Sequence, residues 1–183
     1  MTLRASLLRQ LENPKLSADT RAELRCELAK GFEDKGEYEH AREALGELWS
    51  RIGERPQIEG LQSSIGAEVL LRAGVLTGAI GSKNQVTDAQ ETAKNLISES
   101  LAIFKALGFR KKIAEAQTEL ALCYWRTGEY NEARDVLTDT LKQLPSDSEL
   151  KAKAVLRLAI VELDAARTNE GLGILTEHAS LFR

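Results

Sequence analysis

The chain has 183 residues, a length that fits one domain and lets about 70% of the unfolded surface be buried. With 28 acidic against 25 basic residues the net charge is -3, so there is no basic field of the kind phosphate-backbone binding needs, and direct nucleic-acid binding is disfavoured. Cys26 and Cys123 stand alone in the sequence, without the close spacing to each other or to histidine that a disulfide framework or a zinc site requires, and no cofactor or metal is expected.

Three prolines and nine aromatics among 43% hydrophobic residues, in a chain dominated by Ala, Leu, Glu, Lys and Arg, favour helix throughout. The first 13 residues carry apolar side chains at Leu3, Leu7, Leu8 and Leu11, the spacing of a one-sided helix and not of a secretory leader. No apolar run approaches the roughly 18 residues of a membrane span, and a cytoplasmic protein with no membrane contact is expected. Ser17 is placed to cap the next helix, Ser146 to Glu149 reads as a capping box, and Pro14, Pro56 and Pro145 fall between helices.

The chain resembles itself. Shifted by 92 positions, Gly36-Glu-Tyr-Glu-His-Ala-Arg-Glu-Ala-Leu45 lies over Gly128-Glu-Tyr-Asn-Glu-Ala-Arg-Asp-Val-Leu137 with six identities in ten, and Ala29 and Phe32 precede the first copy as Ala121 and Tyr124 precede the second. Small residues at this spacing let two helices approach closely, large ones fill the space beside them, and glycine ends the first helix in a left-handed turn. Two weaker copies follow the same plan. Ala67, Leu70 and Gly74 match the first helix of one, with Ala93 to Phe104 as its second helix; Ala159, Gly171 and Leu175 mark the other, which lacks the turn glycine.

The pattern Ala29, Phe32, Gly36, Tyr38, Ala41, Leu45, repeated as Ala121, Tyr124, Gly128, Tyr130, Ala133, Leu137, resembles the tetratricopeptide repeat, and its period of 38 resembles the longer-spaced arrays of bacterial signalling and regulatory proteins. The resemblance implies an all-α, right-handed solenoid of about four antiparallel helix pairs. One domain is expected over 1–183: an N-terminal helix in 1–13 and repeats at 18–53, 57–108, 110–145 and 147–183. The apolar residues near the last helix, Leu172, Ile174, Leu175, Leu181 and Phe182, lead us to expect a piece of a longer array or an end covered by a second copy, as in a homodimer.

The second repeat has 14 extra residues between Ala67 and Ala93. Val75, Leu76, Ala79 and Ile80 continue an apolar stripe, so residues 75–92 are expected to lengthen both arms of a helical hairpin by about two turns each, roughly 10 Å, the alternative being an ordinary surface loop.

In tetratricopeptide proteins the first helix of each pair lines a groove that holds a polypeptide. Carried onto this chain, the resemblance implies a partner-binding surface including Lys30, Glu33, Glu68, Leu71, Arg72, Leu122, Trp125 and Arg126, with Lys153, Leu156, Ile160, Leu163 and Asp164 in the last repeat. Trp125 beside Arg126 suits an aromatic or acidic peptide, since tryptophan and arginine dominate binding hot spots. Cys26 and Lys30 lack the asparagine partner of the carboxylate clamp that holds chaperone tails. His40 and His178 have no second ligand or nucleophile at helical spacing, which speaks against an enzyme. The expectation is a non-catalytic scaffold that binds a protein or peptide; the alternative is a peptide- or ligand-sensing regulatory domain controlling an attached output domain.

Overall fold

A computed structural model of the chain describes residues 3–145 and 148–182. Among them it has nine α-helices and no strand: α1 Leu3–Leu11, α2 Ala18–Glu33, α3 Tyr38–Leu45, α4 Ser63–Lys83, α5 Ala89–Leu107, α6 Arg110–Arg126, α7 Tyr130–Gln143, α8 Glu149–Asp164 and α9 Thr168–Glu177. Short 3-10 turns follow α3 and α9. Ser17 caps α2, its hydroxyl accepting the Thr20 amide at 3.1 Å. Ser146 lies outside the described residues; the cap of α8 is Ser148, which accepts the Lys151 amide at 3.2 Å.

The helices form two compact units, Met1–Leu107 and Gly108–Arg183. In the first, α2 packs on α3 and α4 on α5, with α2 also against α1 and α4. Its core gathers Ala22, Ala29, Phe32, Ala41, Leu45, Trp49, Val69, Leu70, Leu76 and Ile80. Trp49 is buried there, its indole N–H donating to Glu54 O at 3.0 Å. In the second unit α6 packs on α7 and α8 on α9, while α8 also meets α6 and α7. Its core holds Ala121, Ala133, Leu137, Ala154, Leu158 and Val161.

Each first helix of a pair closes in the same way. The amide of Glu37 donates to Phe32 O at 3.0 Å, Val86 to Gly81 O at 2.9 Å, Glu129 to Tyr124 O at 2.9 Å and Arg167 to Glu162 O at 2.8 Å. The residue before each of those amides is left-handed: Gly36 at φ +73°, Gln85 at +53°, Gly128 at +80° and Ala166 at +60°. This six-to-one bond over a left-handed residue satisfies carbonyls that a helix end would otherwise leave unpaired.

The turn geometry moves the alignment of the second pair. Gly74 is not its turn residue but lies inside α4, as the twelfth residue, the place that Ala29 and Ala121 hold in α2 and α6. There the two helices touch: a Cβ on Gly74 would stand 2.6 Å from Ile97 Cγ1 and 3.3 Å from Ala93 O. Gly81 meets Ala89 in the same way, and Ser100 Oγ donates to Ala67 O at 2.7 Å, so the arms run antiparallel.

Residues 75–92 are helical except for the turn at 84–88. α4 has 21 residues against 16 or 17 in α2, α6 and α8, and α5 has 19 against 14 in α7. α4 is therefore about 6–8 Å longer than the other first helices, a little over one turn, and α5 is about 8 Å longer than α7 and longer still than α3 and α9, which have 8 and 10 residues. α4 is also apolar enough by length and composition to cross a membrane, with a mean hydropathy of 1.3 over 18 residues, although 83% of that window is buried within the protein. Glu68 and Arg72 fall inside every such window, so the helix is not an uninterrupted apolar run.

Candidate functional site

The residues expected on one binding surface fall into two groups of different character, one in each unit. In the first unit they make a buried ionic cluster. Arg72 is 2% exposed, and its guanidinium pairs with Glu33 and, at 3.2 Å, with Glu68 one helical turn away. Glu33 is nearly buried as well, and Lys30 is half-buried with a contact of its own. Leu71 has no exposed surface at all. Leu71 and Arg72 are thus not presented to a partner. Arg72 faces inward because two carboxylates on α2 and α4 neutralise it, which is the condition under which a buried cation is tolerated.

In the second unit the surface is open and apolar. Leu156, Ile160 and Leu163 of α8 are 47%, 37% and 39% exposed. Their spacing of four and three residues puts them on one face of the helix. Beside them Leu122 and Trp125 of α6 are half-buried. Between the two helices lies a cleft of about 40 Å³ whose lining is Ala121, Leu122, Trp125, Leu137, Arg157, Ile160 and Val161. Such a space holds the tip of one side chain and is far below the several hundred Å³ of a small-molecule or cofactor site.

The edges of this face are polar and fixed. Trp125 Nε1 donates to Asp164 Oδ2 at 2.7 Å, which sets the plane of the indole. Glu119 of α6 is buried and bound on both oxygens, by Lys153 Nζ at 2.8 Å and Arg157 Nη2 at 2.8 Å, and Arg157 Nη1 donates to Thr118 O at 2.7 Å. Burial pushes the Glu119 carboxyl up, but Arg157 and Lys153 together overcome it and hold it at about 2. On the far side of α8, Glu162 is clamped by Arg134 of α7 and by Arg167, each at 2.5 Å. Arg126 is one turn beyond Leu122 on α6, half-buried and engaged in a contact.

Of the expected residues, Leu122 and Trp125 come together with Ile160 in the cleft, and Asp164 orients the tryptophan, while Leu163 lies against Gly171 of α9. Arg157, Leu137 and Val161 complete the cleft and were not foreseen. Arg157 could have been found from Lys153 four residues before it, had the burial of their shared partner Glu119 been legible. Among the described residues no group of three or more His, Cys, Asp or Glu could hold a metal ion. No protein-family model matches this chain, and no curated protein matches it either.

Proposed function

We propose that the chain is a tetratricopeptide-type repeat protein that binds a polypeptide, without catalysis, through the α6 and α8 face of its second unit. The observation that carries this reading is the row Leu156, Ile160, Leu163 left open to solvent beside Trp125 and a one-side-chain cleft. Three large aliphatic side chains at 37% or more exposure along one helix face are costly to leave in water unless something covers them. A tryptophan held by a hydrogen bond beside exposed aliphatic side chains is the composition of a binding hot spot. The repeat assignment is supported by four helix ends that share one turn geometry and by small residues at the close approaches, Ala159 O against Gly171 among them.

The test is selection from a displayed random-peptide library on the full chain, with counter-selection on Ile160→Ser. Peptides that bind the chain and lose the variant support the reading. Failure to enrich any Ile160-dependent sequence over several rounds would sink it.

A further inference from the structure

We infer that residues 50–61 are a displaceable strap, which fills in cis a groove along α4 and α5 that takes in trans an extended peptide of the strap's own pattern, an arginine and a proline between two isoleucines. The inference goes beyond the proposed function, because this groove belongs to the first unit and shares no residue with the α6 and α8 face.

The strap exists because α3 is short. Gly46 ends that helix at φ +56° after 8 residues, where α7 runs for 14, so the second helix of the first pair leaves part of α4 to be covered by something else. The chain comes back antiparallel to α4. Ile52 Cγ2 stands 3.9 Å from where a Cβ on Gly81 would be, and Ile58 Cβ 3.6 Å from the same point on Gly66. The two glycines lie about 22 Å apart along the helix, a distance that the chain from 52 to 58 covers only when nearly extended. Arg55 and Pro56 supply that conformation, since a residue before proline is driven out of the helical region and proline is fixed at a φ of about −65°. Pro56 is buried, and having no N–H it strands no donor there.

The strap is held down by side chains alone. Its backbone amides donate within the loop, Glu54 to Arg51 O at 3.2 Å, Gln57 to Leu48 O at 2.8 Å and Leu61 to Ile58 O at 3.2 Å, and not to α4 or α5. Ile52 and Ile58 are partly buried against the core of the unit. Arg55 is the polar latch: its two terminal nitrogens donate to the two oxygens of Glu99 on α5 at 2.7 and 2.6 Å. The partners are 55% and 39% exposed, and an ion pair so well wetted holds weakly and yields to salt. Gly53 and Gly60, at φ +87° and +80°, flank the stretch from Arg55 to Ile58 and give it two points of easy rotation. Beneath lies α4, the helix apolar enough by composition to cross a membrane. An opened strap therefore leaves an apolar trough with Glu99 at its edge, and a proline-stiffened peptide refills it with little ordering cost.

The test uses the full chain and two fluorescein-labelled peptides of residues 50–61, one with the parent sequence and one carrying Arg55→Glu. In the chain, Arg55→Glu sets a second carboxylate against Glu99. Trypsin is then expected to cut Arg51–Ile52, identified by mass, at least about fivefold faster than in the parent, and the parent peptide to bind at least about fivefold more tightly, its cis competitor being released. Glu99→Arg opens the strap as well but reverses the preference, so that it takes the Arg55→Glu peptide over the parent one. The double variant Arg55→Glu, Glu99→Arg restores the pair, and with it slow cleavage and weak binding of both peptides. Should a single variant lose its melting transition, Arg55→Gln, which removes the pair without repulsion, replaces it with the same expected order. Unchanged cleavage in the single variants overturns the latch. Faster cleavage without peptide binding, or binding that ignores the residue at position 55 of the peptide, means that the segment only covers α4 as a loop and overturns the inference; neither result bears on the α6 and α8 face.

Discussion

Ala166 closes α8 at φ +60° in the same turn that Gly128 makes at φ +80° to close α6. The bond patterns match as well: Ala166 N–H donates to Leu163 O at 3.1 Å, as Gly128 N–H donates to Trp125 O at 3.1 Å. A residue with a Cβ is disfavoured in this conformation by about 1 kcal/mol or more, and only glycine escapes the penalty. Ala166 is exposed, so no packing compensates for the strain. Ala166→Gly is therefore expected to stabilise the protein by about 0.5–1 kcal/mol, after the extra entropy of glycine in the unfolded chain is subtracted. Gly128→Ala should cost about 1 kcal/mol in the opposite direction. Urea unfolding of both variants measures the difference, and a destabilised Ala166→Gly would show that the alanine is held by something other than the turn.

Gly74 has the opposite role. Its φ is ordinary helix, and alanine at an exposed helical site would stabilise by up to about 1 kcal/mol. Here a Cβ would press on Ile97 Cγ1 at 2.6 Å and on two backbone atoms of α5 at 3.3 Å. Ile97 is wholly buried, and its Cγ1 is next to the backbone, so neither partner moves cheaply. Overpacking of this kind costs about 1–3 kcal/mol. Gly74→Ala should lower the melting temperature, and Gly74→Val should do so further; a neutral Gly74→Ala would mean that α4 and α5 are not in contact at this level.

These two glycines mark what was legible and what was not. Gly36 and Gly128 each precede an aromatic residue in a repeated ten-residue string, and both end helices as read. In the second and fourth pairs the turn conformation is kept by Gln85 and Ala166, residues that carry no turn signal; Gly74 stands at the interval of the turn glycine, yet with Gly81 it serves the close helix approach that the sequence also suggests for these glycines. Sequence spacing alone does not separate the two uses of glycine, because the φ angle and the neighbour at the missing Cβ are tertiary facts. The candidate site divided for a related reason. Leu156, Ile160 and Leu163 were legible as one helix face, and their exposure could have been inferred only by knowing which faces the neighbours cover. The resemblance puts Arg72 on the groove surface, while Glu33, 39 positions away, brings it inside.

The buried cluster around Arg72 gives a sharp test of that correction. Replacing Arg72 by alanine leaves Glu33 and Glu68 in a poorly solvated site without the guanidinium that neutralises them. Breaking a buried ion pair from one side costs about 3–5 kcal/mol, whereas losing an exposed arginine costs close to nothing. Arg72→Ala is expected to reduce the free energy of unfolding by that larger amount, and Arg72→Met in a Glu33→Gln, Glu68→Gln background should recover much of it. An Arg72→Ala variant as stable as the parent in a urea titration would return the residue to the surface.

Acid should loosen the second unit at Glu119. The carboxyl is held at about 2 in the folded chain, from an ordinary value near 4.5, so its proton is bound more weakly when folded than when unfolded. The folded state is then favoured at every pH above about 4.5, and this stabilisation is lost progressively as pH falls toward 2. Its full size is roughly 3 kcal/mol from the difference between the two values. Glu119 is buried, and both of its oxygens bind cations, so solvent screening removes little of this. Glu119→Gln should be destabilised at pH 7, leaving Lys153 and Arg157 without their shared anion, and should show a flatter fall in stability between pH 4.5 and pH 2 than the parent. Unfolding free energies from urea titrations at several pH values distinguish the two curves. Parallel curves would mean that Glu119 is not the group whose protonation opens the unit.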